Sequence, residues 1–596
     1  HAPYLTMMAI GDFAVVKDKW RNMEVSYYVE PAFKNTAKAV FGNTPEMLEF
    51  FSKKLGVDYP WDKYAQVVVR DYVSGAMENT SASLFMEALQ VDRRELLDTN
   101  WDEIIAHELF HQWFGDLVTL ESWANLPLNE SFADYSEYLW FEHKYGADEA
   151  ALIWQKGMSQ YLNESMNKRV PLIRYQYEEK EDMFDNHSYA KGGRVLHMLR
   201  NYVGDDAFFT ALNLYLTKHK FTAVEVAELR MAFEEVTGED LTWFFNQWFM
   251  QPGHPELLVE HQYQNGKLSL KVNQLQDPKF SPIYRLPLTV SVWQNNQRKD
   301  IPITITSAEY DTTIAMASAP ELVLFDSKAQ LVAEISHEKS KQELLYQYYH
   351  TNAYLPKYEA LVKLSNNTSD PEVLKMLRDA LNDNFWKIRS TALTALEKYA
   401  GPQNEAVLED IKKLALSDKK GIVRGEAILA LSESKNDSFL DVYKKGMQDS
   451  SYVVAAASIQ AYASSGAPDK AEKLAQFEKL KNDDIVLALA NYYTDNEVAG
   501  KTDWYMRKLD QVKGGTLYFM LQNFGAYLMK LDESKKQQGL TKLAQIAREN
   551  PAYYIRLAAY QGLSMASESE ASKQLRKQIK ENEKDKRLKE LYEMMP

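Results

Sequence analysis

The chain has 596 residues, 45% of them hydrophobic and 26% charged, with no cysteine, a formal net charge of −15 and a pI near 5.4. That length exceeds what one core fills, so about three to four domains are expected. The acidic balance argues against nucleic acid as the main partner, the lack of cysteine excludes disulfides, thiol nucleophiles and thiolate metal sites, and no apolar run approaches the roughly 20 residues of a membrane span.

Tyr4 to Val16 (YLTMMAIGDFAVV) reads as strand, the end of a β-rich region whose partner strands are expected in an upstream segment. Val25 to Val29 is a second short strand, and Asn43 to Leu55 is a helix with Thr44 as cap and Pro45 in its first turn. Ala65 to Tyr72 is a strong strand, because β-branched residues run together in it. Gly75-Ala76-Met77-Glu78-Asn79 follows, then strand-like Ala82 to Val91. A glycine between strands lets the backbone turn or approach a ligand closely. Taken alone, Glu78 is a solvated turn acid.

Thr99 or Asn100 can cap the next helix, with Asp102 and Glu103 in its first turn, where the helix dipole favours acids, and Gly115 at its end. Within it lies His107-Glu108-Leu109-Phe110-His111, an H-E-x-x-H motif. The two histidines are i and i+4, so they leave one face of a helix and can hold one metal ion. Eighteen residues separate His111 from Glu130, which starts a further helix and can add a carboxylate oxygen. Two imidazoles and one carboxylate leave the fourth position of a zinc ion open for water, as in a catalytic site. Glu108 turns to another side of the helix and suits a general base acting on that water.

Ser188-Tyr189-Ala190-Lys191-Gly192-Gly193 opens a helix that runs over Ala190 to Val203, and further helices, among them Thr222 to Val236, reach Trp248. Met250 to Pro255, rich in proline and glycine, is the clearest boundary. Residues 254–336 hold about seven short strands and an Asn265-Gly266 hairpin signal, which together imply a small β-sandwich. From 337 to 596 the pattern is helical and repeats: Asp383 to Arg389, Asp418 to Arg424, Asp449 to Val454 and Asn550 to Arg556 are copies, each followed by an alanine-rich helix. Spacings of 35 (383 to 418) and 31 (418 to 449) suggest stacked helix pairs, with the aspartates capping the second helix of each pair.

G-A-M-E-N at 75–79, H-E-L-F-H at 107–111 and N-E-S-F-A at 129–133, in that order, resemble the zinc aminopeptidase N family of gluzincins, and the wording around them resembles its bacterial members. The resemblance implies a multidomain α+β chain: a remnant of an N-terminal β-domain (1–20), a thermolysin-like zinc peptidase domain (21–253), a β-sandwich (254–336) and a C-terminal HEAT-like α-solenoid (337–596). It implies one zinc ion on His107, His111 and Glu130, with Glu108 as catalytic base. It places substrate binding on Gly75, Ala76, Met77, Glu78 and Asn79, where Glu78 anchors the free α-amine of a peptide. Tyr189, in the family's Y-x-K-G segment, is implied to hold the developing oxyanion. The expected partners are peptides with a free N-terminus, with no nucleic acid and no membrane span. The family also has an N-terminal β-domain of which only the last strands are expected here, and it supplies a further glutamate to the amine site. A related epoxide hydrolase carries G-G-M-E-N, against which Ala76 argues; an inactive scaffold is disfavoured by the intact ligand set and Glu108.

Overall fold

The computed structural model describes residues 2–72, 74–566 and 568–595. These form two units, His1–Asn367 and Thr368–Pro596.

The first unit begins with a five-stranded sheet of β1 (Ala14–Trp20), β2 (Met23–Val29), β3 (Lys63–Val69), β4 (Ala76–Met77) and β5 (Ala82–Met86), in the order β1-β2-β3-β5-β4. The central strands β2, β3 and β5 are parallel, and the edge strands β1 and β4 are antiparallel to their neighbours. Burial follows from this order. Residues 64–68 of β3 are buried without interruption, as a covered parallel strand requires, while β1 alternates. Helices α1 (Lys34–Phe41) and α2 (Thr44–Leu55) make the crossover; α2 has Pro45 in its first turn and ends on Gly56 at φ 62°.

The strand expected from Tyr4 starts only at Ala14. Pro3–Leu5 is instead a 3-10 turn, with Leu5 buried and Met8 and Ile10 exposed. The reason is local: Pro3 opens the turn, and the Leu5 carbonyl is satisfied by the Asn79 side chain (Nδ2, 3.0 Å) rather than by a strand ladder.

A helical lobe follows, built from α3 (Asp102–Phe110), α4 (Pro127–Lys144), α5 (Ala147–Ser165), α6 (Gly192–Val203), α7 (Asp205–His219), α8 (Val226–Thr237) and α9 (Thr242–Trp248). Two short strands, β6 (Thr119–Leu120) and β7 (Ala223–Val224), pair in parallel within it. Stacked aromatics lock α3 to α4: Phe114 lies 4.1 Å from Phe132 and 5.0 Å from Phe110, beside the fully buried Trp113 and Trp140.

Next come two sheets of a β-sandwich. One is β12-β9-β8-β14, from β8 (Glu256–Gln264), β9 (Lys267–Gln274), β12 (Glu309–Ala315) and β14 (Glu334–His337); the other is β11-β10-β13, from β10 (Leu286–Gln294), β11 (Gln297–Ile305) and β13 (Leu322–Leu324). Asn265 and Gly266 both have positive φ (50° and 74°), the type I′ geometry that joins β8 to β9. Helices α10 (Lys341–His350) and α11 (Tyr354–Leu364) close this unit.

The second unit is helical. It opens with α12 (Pro371–Ala380), α13 (Trp386–Leu396), α14 (Asn404–Ser417), α15 (Gly421–Glu433), α16 (Leu440–Gly446) and α17 (Tyr452–Ser464), and further helices continue to Lys586–Glu593. The repeated aspartates do not sit at the N-cap itself. Asp383, Asp418 and Asp449 each accept, through Oδ1, the N–H two residues on, that of Phe385, Lys420 and Ser451 (2.9 Å each), which are the capping residues of α13, α15 and α17. Their outer role is larger. Arg389 pairs in bidentate fashion with Asp418 (2.6 and 2.7 Å), and Arg424 with Asp449 (3.1 and 2.9 Å). The same two arginines hold the carbonyls of Asp383 and Asp418 in their own repeats (2.9 and 2.8 Å).

Asp418 is 3% and Arg389 11% exposed at the side chain, so breaking this rung strands a nearly buried charge. Arg389→Ala is expected to cost about 3 kcal/mol, read as a lower urea midpoint of the helical transition in the whole chain. A loss under about 0.5 kcal/mol would mean that the rung behaves as a surface pair.

Candidate active site and metal centre

α3 carries His107 and Glu108 in its last turn and stops at Phe110, so His111 occupies the C-cap rather than the helix interior. The chain turns sharply after it: Asp116 N bonds the His111 carbonyl (3.0 Å), and Gly115 has φ 135°. Asn100, read as a cap, accepts the Asp102 N–H through its side chain (2.9 Å). α4 starts at Pro127 and brings Glu130 into its first turn.

These elements bring three donors together. Nε2 of His107 and Nε2 of His111 each lie 3.3 Å from Oε2 of Glu130. The other ring nitrogens are held from behind. His107 Nδ1 donates to Glu137 Oε1 (2.8 Å) and His111 Nδ1 to the Phe114 carbonyl (3.0 Å). With Nδ1 protonated in both rings, the Nε2 lone pairs face the shared oxygen, which is how metal-ligating histidines are oriented. One atom from each of the three residues lies within 4.8 Å of the others, all buried. The donor set, two imidazole nitrogens and one carboxylate oxygen, therefore fits a divalent cation of the zinc type.

The charges support the same fit. Burial alone would raise Glu130, but His111 and His107 hold it down to about 2. Burial would lower His111, yet Glu78 and Glu130 lift it to about 9. The carboxylates favour positive charge at the imidazoles, a role that a bound dication can take over as protons leave. Burial raises the Glu108 carboxyl to about 8 against the pull of both histidines, and its Oε2 has no hydrogen-bond partner among the described residues.

The donors open into a cavity of about 900 Å³. Ala76, Met77, Glu78, Glu108 and Tyr189 also line it. Gly75 and Asn79 do not line it. Gly75 (φ 85°) accepts the Met86 N–H through its carbonyl, and Asn79 is buried against Leu5. Tyr189 stacks parallel to His107 (5.9 Å between ring centres, 10°), and burial, then Glu130, raise its phenol.

Several residues at or behind the cavity wall escaped the sequence reading. Gln112 donates to the Glu78 carbonyl (2.9 Å) and accepts Ser81 N–H (2.8 Å), stapling the segment between β4 and β5 to the turn that follows α3. The Tyr4 hydroxyl reaches Glu78 Oε1 (3.5 Å) and accepts from Asn129 Nδ2 (3.2 Å), while its ring meets Trp123 at 5.4 Å. Glu137 had a readable signal, seven residues beyond Glu130 and so on the same helix face. Tyr4 had none, being 74 residues from its partner.

Residues 40–248 match the peptidase family M1 domain, and residues 342–432 match HEAT repeats. Residues 40–248 belong to peptidase family M1. This M1 domain holds every donor described above. Among relatives, a probable aminopeptidase 1 of Sulfurisphaera tokodaii is 29% identical over 53% of this chain and 41% of its own length. Glutamyl aminopeptidase of Bos taurus is 31% identical over 43% of this chain and 28% of its own. The matches thus span less than half the length of these relatives. A crystal structure of Legionella pneumophila aminopeptidase A in complex with aspartic acid has the same fold over 98% of this chain and 77% of that one, with a TM-score of 0.68 at 16% identity. No helix among the described residues is long and apolar enough to cross a membrane.

Helices α4 and α6 approach closely beside Glu130. A Cβ on Gly192, at the start of α6, would overlap Ser131 Oγ and Cβ on α4, next to Glu130. Gly192→Ala is therefore expected to destabilise the protein by about 1–3 kcal/mol through overpacking. Gly157→Ala on α5 is the control: its Cβ would make an ordinary 3.5 Å contact with Ala190 Cβ, and a gain of about 0.5–1 kcal/mol is expected. Thermal melts of both variants decide; equal melting temperatures would contradict the close-contact argument.

Proposed function

We propose that the chain is a zinc-dependent aminopeptidase, releasing residues one at a time from the free N-terminus of peptides. The observation that carries this reading is that one cavity joins the His107, His111 and Glu130 donor set to a separate buried carboxylate, Glu78, at the end of an edge strand. The names of the M1 relatives agree with it, and the solved neighbour is described with a free amino acid, the product class of such a reaction.

Zinc, held by His107, His111 and Glu130, would supply a Lewis acid for water and carbonyl oxygen. The chain's own residues do the rest. Glu78 receives the α-ammonium in a charge-assisted hydrogen bond, which an internal peptide bond cannot offer. Ala76 and Met77, on the sheet edge, present backbone along which an extended peptide can lie. Glu108 takes a proton from the attacking water and hands it to the departing amine nitrogen, so that one water is consumed for each bond cleaved. Tyr189 donates its O–H to the carbonyl oxygen as charge develops there. Glu137 and the Phe114 carbonyl hold the two imidazoles in the tautomer described above.

A panel of aminoacyl fluorogenic substrates, assayed with and without chelator, tests the reading. Hydrolysis is expected for free-amine substrates, to vanish with chelator, to return with zinc, and to be absent for N-acetylated substrates. Turnover of acetylated substrates would remove the amine anchor from the mechanism, and turnover by metal-free protein would remove the metal.

Glu108→Gln isolates the base. It is expected to keep bound zinc and lose about 10²- to 10⁴-fold in kcat. Zinc content by atomic absorption, measured beside kcat, separates loss of chemistry from loss of metal. Near-normal turnover would exclude Glu108 as the base.

A further inference from the structure

Tyr189 stands on a turn with an unusual hydrogen-bond pattern. Residues 187–191 form one π-helical turn, in which Lys191 N–H reaches the Asn186 carbonyl (2.9 Å) and Gly192 N–H the His187 carbonyl. Such turns need outside partners for the N–H groups at their start. Asp185 provides them. Its Oδ1 accepts from His187 N–H (3.1 Å) and Ser188 N–H (2.9 Å), and its carbonyl accepts from Tyr189 N–H (3.1 Å).

The other carboxylate oxygen, Oδ2, is gripped by two cations, Arg174 Nη2 at 2.8 Å and Lys168 Nζ at 2.6 Å. The side chains of Asp185 and Arg174 are 4% and 8% exposed. Arg174 also bonds the carbonyls of Met183 (3.2 Å) and Asp182 (3.3 Å), and Lys168 bonds that of Asp182 (3.0 Å). Residues 182–185 are thereby tied into one block. From the other side, Ser131 Oγ donates to the Ser188 carbonyl (2.7 Å), fastening the turn to the helix that carries Glu130. None of the three charged residues lines the cavity. Each nonetheless acts on the backbone that aims the Tyr189 ring along His107.

We propose that Asp185, clamped by Arg174 and Lys168, is a positioning residue that holds the Tyr189 phenol in register with the metal ligands. This rests on the reading that Tyr189 donates to the substrate oxygen. A buried pair that only stabilised the loop would affect folding; a positioning pair also affects kcat through one tyrosine. Misplacing a transition-state donor by about 1 Å costs on the order of 100-fold in rate.

The direct test places 3-fluorotyrosine at position 189 of the full chain and records 19F spectra with and without zinc. Asp185→Ala and Arg174→Met are both expected to shift or broaden that resonance. In unlabelled protein, Asp185→Ala is expected to lower kcat about 30- to 100-fold, with KM within twofold and zinc content unchanged. In a Tyr189→Phe background the same change is expected to cost less than twofold. Asp185→Asn keeps the Oδ1 acceptor but turns an amide toward the two cations, so it serves if the alanine variant does not fold; an intermediate loss is expected. An unmoved 19F resonance in the Asp185 and Arg174 variants overturns the proposal, as do losses that multiply fully in the Tyr189→Phe background. If Tyr189→Phe itself turns over at the wild-type rate, the catalytic reading of Tyr189 falls, while the 19F spectra still decide whether Asp185 positions the ring.

Discussion

Glu78, Glu108, Glu130 and Glu137 line one cavity with two imidazoles, and this crowding of carboxylates shapes the metal-ligand end of the M1 domain. An uncompensated buried charge costs several kcal/mol. The fold meets that cost by aiming both ring nitrogens of His107 at carboxylates and by turning the chain sharply after His111, so that a carbonyl faces the second ring. The aromatic packing of α3 on α4 can be understood in this light. Carboxylates so close together repel, and a loose scaffold would relieve the strain by spreading them. Stacked rings at 4.1 to 5.0 Å and the Gly192–Ser131 contact leave little room for that.

What could be read from the sequence was what covalent spacing dictates. The i, i+4 histidines had to share a face, and Glu130 stood close enough on a following helix to join them. The sandwich showed in its Asn-Gly turn and alternating strands, because positive φ and period-two burial leave direct marks on residue choice. The π-turn at 187–191 left no such mark. Its residues are ordinary helix residues, and the helix was expected to run from Ala190 where it begins at Gly192. Asp185, gripped by its two cations, receives the N–H groups at the turn's start, and no local pattern announces that a carboxylate will be clamped by residues 11 and 17 positions earlier.

The same limit explains Tyr4. Its neighbours are apolar and alternate loosely, which reads as strand, but its hydroxyl belongs to Glu78 and Asn129. A residue whose partners are distant in sequence is assigned by its neighbours until the fold is known. In the helical unit the aspartates were recognisable as repeats, whereas the arginines were not recognisable as rungs, since each one's partner lies in the next copy.

Those rungs have a mechanical meaning. Arg389 and Arg424 each bind one neighbour and their own loop, and the series lapses after Asp449, because Ala455 stands where the next arginine would. Coupling of this kind passes from repeat to repeat and no further. Under load, such a stretch is expected to yield rung by rung, as a zip fastener opens tooth by tooth, with the two arginine rungs ending at residue 449.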